Sequence, residues 1–219
     1  MRDRLLAELG EVPRHRFLVY LMGPYKTFSL EEMLADTDVN TDSVSVDFGS
    51  LTGDADTDTT AEQTVLDRLI HARDRLRVDP GVNAFLALDA DIDLDEMDAA
   101  TQSIAFARAS NVTAFIAPKV GKNLGVGIET GSVLEDIFRD QEQNNETALN
   151  TRAERVVFVH EAGVRSAMIG SISRRWDATI YSYETDEDLV RRLREFVANV
   201  IRRELTGNLP SLDDETDET

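Results

Sequence analysis

Residues 16–22 read RFLVYLM and run straight into Gly23-Pro24-Tyr25. A continuous apolar, β-rich run of strand length, closed by two breakers, predicts a strand buried on both faces. Four further runs of the same character follow it: residues 83–88 (NAFLAL), 112–117 (VTAFIA), 155–160 (RVVFVH) and 178–183 (ATIYSY). Helical patterns separate them. Residues 1–12 carry Leu5, Leu6 and Leu9 on one face, and residues 61–78 place Val65, Leu66, Leu69 and Ile70 inward. Residues 94–110, 127–141 and 167–175 are expected to be helices. So are residues 185–205, with Asp186 and Glu187 at the positive end of the macrodipole.

Strands alternating with helices predict a parallel sheet covered on both faces. The expected fold is therefore α/β, a single flavodoxin-like or Rossmann-like three-layer sandwich with a five-stranded, mostly parallel sheet. Residues 1–205 form the expected domain. Within it, residues 28–35 read as a short helix with Ser29 as N-cap. Residues 36–60 form an Asp- and Thr-rich excursion in which only Val44, Val46 and Phe48 alternate. Residues 206–219 read as an acidic tail, expected to be disordered.

Composition limits the function classes. The chain has 219 residues, 42 Asp plus Glu against 23 Lys plus Arg, and a formal net charge of −19. Its lysines are confined to Lys26, Lys119 and Lys122. Acidity spread along a chain that keeps its apolar periodicity fits a halophilic protein, because molar salt shortens the Debye length to about 3 Å and removes self-repulsion. No basic face is visible, so nucleic acid is not an expected partner. The absence of cysteine excludes a disulfide framework and thiolate metal sites. The apolar runs are too short to span a bilayer, and the first ten residues hold no signal-peptide core. The expected location is cytoplasmic, with no membrane partner.

In such sheets ligands sit beyond the carboxyl ends of the strands, near the point where strand order reverses. That rule points just past Met22, Leu88, Ala117 and Val159. After the first strand, Gly23 lets backbone approach a ligand and Pro24 fixes the turn that carries Tyr25. After the third come Lys119, Lys122 and Asn123, then Gly121, Gly125 and Gly127 before Glu129 in the first turn of a helix. Exposed N–H groups at that helix start suit an anion or sugar oxygens, and the macrodipole favours an ionised Glu129. The loop is neither a Walker loop nor a dinucleotide fingerprint. Asp89, Asp91, Asp93 and Asp95 alternate past the second strand. Metal ligation is one reading of that run, but a solvated loop is favoured and no metal or cofactor is expected. His160 ends the fourth strand, where a backbone-bonded histidine is as good a reading as a site residue.

Gly-Pro-Tyr after a first strand, with Gly125, Glu129 and Gly131 opening a later helix, resembles the nucleoside 2-deoxyribosyltransferases. Their motif runs Gly-Thr-Ala-x-Glu-x-Gly-Tyr-Ala. Gly127 takes the place of its third residue, while Ser132 and Val133 stand in place of Tyr and Ala. The resemblance spans about residues 17–158. It implies Glu129 as a nucleophile toward an anomeric carbon, oriented by Tyr25, with Gly23 and Gly125 near the sugar oxygens and Lys119 and Lys122 at a 5′-phosphate. It also implies a nucleoside or nucleotide ligand and a homo-oligomer. Two departures stand out: Asn111 and Asn123 occupy places where the family has acids, and an amide moves no proton at neutral pH. Asp89, Asp91 or Glu161 is then a candidate acid. An N-glycosidase or deoxyribosyltransferase, in which water or a second base releases the sugar, a nucleotide-sensing module without chemistry and an acidic interaction protein all remain open at this level.

Overall fold

A computed structural model describes residues 1–23, 55–93, 95–119, 133, 152–164 and 178–212, with side chains of the helix that opens at Ala55 described from Thr64 onward. The elements are α1 (Arg2–Glu8), β1 (Arg14–Met22), α2 (Ala55–Val78), β2 (Val82–Phe85), α3 (Ala99–Ala109), β3 (Val112–Ala117), β4 (Val156–Glu161), β5 (Thr179–Tyr183) and α4 (Asp186–Leu205). The sheet has five strands in the order β2-β1-β3-β4-β5, and every pairing is parallel.

Alternation along β1 builds the two cores. Phe17, Val19 and Leu21 face α2 and α4, packing on Leu69, Ala72, Leu76, Leu193 and Val197. Leu18, Tyr20 and Met22 face the other layer, with Leu5 of α1 and Phe106 of α3. There Tyr20 stacks on Phe85 at 5.2 Å between centroids, and both meet Phe106 edge-on at 5.5 and 5.7 Å. Such ring pairs contribute roughly 0.5–1.5 kcal/mol each beyond their buried area.

The helix that crosses from β1 to β2 lies on one face, and the one from β2 to β3 on the other. Right-handed crossovers demand this when the direction of travel reverses. Helix ends follow local chemistry. Asp98 caps α3, accepting from the N–H groups of Ala100 and Thr101 at 3.0 Å each. Thr185 caps α4, which carries Asp186, Glu187 and Asp188 in its first turn and Arg202 and Arg203 in its last.

Several boundaries differ from the sequence reading. β2 stops at Phe85, short of the expected end at Leu88, because Ala87–Asp89 turn into a short 3₁₀ helix. α2 begins at Ala55, inside the expected excursion, because Asp and Thr cost only a few tenths of a kcal/mol each in an ongoing helix. α3 begins at Ala99, since Asp98 serves as cap instead of residing in the helix. The tail reading fails at its start: Leu209 is 1% exposed, Leu212 is buried, and the Pro210 carbonyl accepts from the buried Arg155. Val133, inside the helix expected over 127–141, is helical and buried. The rest of that helix, the helices expected at 28–35 and 167–175, the alternation at 44–48 and residues 213–219 lie outside the described residues. No helix among the described residues is long and apolar enough to cross a membrane.

Candidate functional site at the carboxyl edge of the sheet

The strand order reverses between β1 and β3, and past the carboxyl ends of such a pair is the place where open parallel sheets as a class bind ligands. Gly23 leaves β1 at this point, and Pro118 and Lys119 leave β3 beside it. Gly23 has a packing reason to be glycine. A Cβ there would lie 2.6 Å from Cδ1 of Leu69, so α2 seats directly on the strand end.

At the carboxyl edge of the sheet lies a polar cluster built from four elements. Arg68 of α2 donates from Nη1 to Glu161 Oε2 at 3.1 Å and to the Tyr183 hydroxyl at 3.3 Å. Its Nε lies 2.5 Å from Asp186 Oδ1 at the start of α4, an ion pair whose angle is too poor for a hydrogen bond. The guanidinium carbon also stands 5.7 Å from the Tyr183 ring centroid. Glu161 Oε2 accepts a second donor, the backbone N–H of Lys119, at 3.0 Å. Burial pushes the Tyr183 phenol above its ordinary value against the pull of Arg68, while Glu161 and Asp186 push the same way as burial.

Past β2, the carboxylates of Asp89 and Asp93 have partners. Asp89 accepts from the Leu86 N–H at 2.8 Å and pairs with Arg73, closing the corner after the strand. Asp93 accepts from the Asp95 N–H at 2.9 Å, and the Asp91 carbonyl accepts from Arg4 at 2.7 Å. Among the described residues no group of three or more His, Cys, Asp or Glu is placed to hold a metal ion. His160 has Nδ1 3.1 Å from the Glu161 carbonyl oxygen, the backbone-bonded arrangement.

Of the residues singled out from sequence, the structure brings Gly23 and Lys119 to the switch point. It places Asn111 elsewhere. Asn111 precedes β3, a strand of six residues, so about 20 Å separates it from Lys119. Its Oδ1 accepts from the Leu18 N–H at 3.0 Å and from Arg2 at 3.1 Å, and its Nδ2 donates to Glu204 at 3.1 Å. Glu204 in turn pairs with Arg155, which is 3% exposed. Asn111 therefore ties α1, β1, β3 and α4 together at the amino edge, where a cleft of about 390 Å³ also opens. Two polar members of that cleft, Asn111 and Glu204, spend hydrogen bonds on each other, so that part of its lining reads as structural. Pro24, Tyr25, Lys122, Asn123, Gly125, Gly127 and Glu129 lie outside the described residues.

Sequence reasoning missed Arg68, Tyr183 and Asp186. Arg68 sits 93 positions from Glu161 and 115 from Tyr183, so no local spacing marks it. The one available signal was Glu161 at the end of an apolar strand.

The whole architecture, from α1 to the packed segment after α4, falls inside a single family match covering residues 2–213. The chain belongs to the DUF7509 family, described as a domain of unknown function. The DUF7509 match ends one residue after the buried Leu212, in agreement with the packing of residues 206–212 onto the domain. No curated protein matches the chain.

Proposed function

We propose that this DUF7509 domain binds a nucleoside or nucleotide in the crevice between β1 and β3 and cleaves its N-glycosidic bond through Glu129. One observation carries the binding half: the strand order reverses between β1 and β3, with Gly23 and Lys119 leaving the sheet at that point. The chemistry rests on the motif resemblance, since Gly125, Glu129 and Gly131 follow β3 in sequence. In this reading the Glu129 carboxylate attacks the anomeric carbon as the C–N bond breaks. The base leaves with the bonding electrons and takes up a proton. Water then hydrolyses the glycosyl ester, releasing the sugar and restoring the carboxylate. Tyr25 orients the nucleophile, and self-association completes the proposal as the resemblance implies it.

A second reading, a nucleotide-sensing module without turnover, is favoured by one feature. Asp89, Glu161 and Asp186 at the carboxyl edge are each paired with an arginine, Arg73 or Arg68. Protonation of a departing base needs an acid that is available to give a proton.

The test is incubation in molar KCl with nucleosides and their 5′-monophosphates, following free base by chromatography, beside Glu129→Ala. Base released by the parent chain and lost in the variant supports the glycosidase. A folded chain that shifts its melting temperature with these ligands but releases no base supports the sensing module. Neither release nor a shift overturns both.

A further inference from the structure

Residues 14–16 read Arg-His-Arg, a basic run in a chain of formal net charge −19. All three are exposed, and all three line the cleft of about 390 Å³ at the amino edge of the sheet. A break in the ladder between β1 and β2 puts them there. Arg14 pairs with Val82 and Leu18 with the next residue, Asn83, so the residues between them bulge out of register. A bulge bends its strand and re-aims the side chains it carries. Side chains from elsewhere in the fold hold this one in shape. Asn83, fully buried, donates from Nδ2 to the His15 carbonyl at 2.9 Å, and Arg2 donates to the Arg16 carbonyl at 2.5 Å. Arg14 is fixed twice. Its backbone N–H donates to the Gly81 carbonyl at 2.7 Å, and its Nη1 donates to the Pro80 carbonyl at 2.5 Å. One such bond orients a guanidinium that carries five N–H donors.

The rest of the lining differs in character. Phe17, Ile201 and Leu205 supply apolar surface, and Leu205 is 81% exposed at the end of α4. Glu204 is the carboxylate of the lining, and its charge is compensated within the fold by the buried Arg155. The cleft thus joins basic groups to an apolar surface, at a volume within the roughly 300–1,000 Å³ of small-molecule sites.

We infer that this amino-edge cleft is a ligand site for an organic oxyanion with an apolar body, the chemistry of a medium-chain carboxylate. The bulged Arg14 and Arg16 receive the head, because a guanidinium fork matches two oxygens of one oxyanion. The apolar body lies on Phe17, Ile201 and Leu205 and takes their surface out of water. Both halves are needed, since an exposed charge pair by itself contributes little. The site is independent of the proposed crevice, lies at the opposite end of the strands and shares no residue with it.

The experiment is calorimetric titration of the full chain in molar KCl with octanoate, octanol and acetate, which carry both parts, the body alone and the head alone. Octanoate is expected to bind saturably at one site, with transferred magnetisation between its methylenes and the methyls of Ile201 and Leu205. Octanol and acetate are expected to bind at least about tenfold more weakly, as for loss of a charge-assisted hydrogen bond or of a buried chain. Arg14→Gln and Arg16→Gln should each weaken octanoate roughly tenfold and leave octanol unchanged. Leu205→Ser, at an exposed position, should weaken octanoate roughly three- to tenfold and leave acetate unchanged. Circular dichroism checks folding, and where Arg14→Gln fails to fold, Arg16→Gln and Leu205→Ser decide. The inference is overturned if octanoate shows no saturable binding, or if the folded variants bind it as tightly as the parent chain. Octanol or acetate bound as tightly as octanoate also overturns it, because one half of the cleft would then contribute nothing.

Discussion

Asn111 shows how much one amide can hold. It accepts from the Leu18 N–H and Arg2, and donates to Glu204, while only 2% exposed. Asn111→Ala leaves a buried N–H and a paired carboxylate short of partners, which costs about 2–3 kcal/mol. Urea unfolding should show that loss, and ligand affinity at the carboxyl edge should not change, because the residue lies at the other end of β3. Tyr183 carries a pH signature. Its phenol is raised above the ordinary 10.0, chiefly by burial. A raised value means the stability it supplies is complete below about pH 10 and is lost as pH rises through the folded-state value. Thermal melts across the alkaline range should therefore fall more steeply for the parent chain than for Tyr183→Phe. Equal slopes would show that the phenol is not the titrating group.

Packing between elements explains why Gly23 is glycine, whether or not it also approaches a ligand. α2 seats Leu69, which is fully buried, against the end of β1. Gly23→Ala forces a Cβ into that contact and should cost about 1–3 kcal/mol, as overpacking does. Leu69→Ala in the same chain should recover part of the loss, and a double-mutant cycle measures the coupling. Additive effects would mean that strand and helix do not meet there. At this scale the strands were the most legible part of the sequence. Residues 112–117 were read to the residue, because a buried parallel strand is a continuous apolar run between breakers. Helix starts were less legible. Asp56, Thr57 and Asp58 carry loop composition but fall within α2, and Asp98 halts α3 as its cap.

For the molecule as a whole, charge dominates the expected behaviour. With a formal net charge of −19, self-repulsion favours expansion at low ionic strength, where the Debye length is about 30 Å at 0.01 M salt. The melting temperature should rise steeply with KCl, and NaCl should match it if screening is the cause. A flat response would sink that account of the composition. The parallel α/β architecture followed from the sequence, because apolar runs of strand length alternate with amphipathic helices and a parallel sheet with helices on both faces buries both. The crevice was legible only as a class of place, just past strand ends. Which two strands flank it depends on the order β2-β1-β3-β4-β5, which no local pattern encodes. The Arg68, Glu161, Tyr183 and Asp186 cluster, and the removal of Asn111 to the opposite edge, were likewise decided by the tertiary structure. Side-chain hydrogen bonds and ion pairs act over a few ångströms, and here they join residues roughly a hundred positions apart.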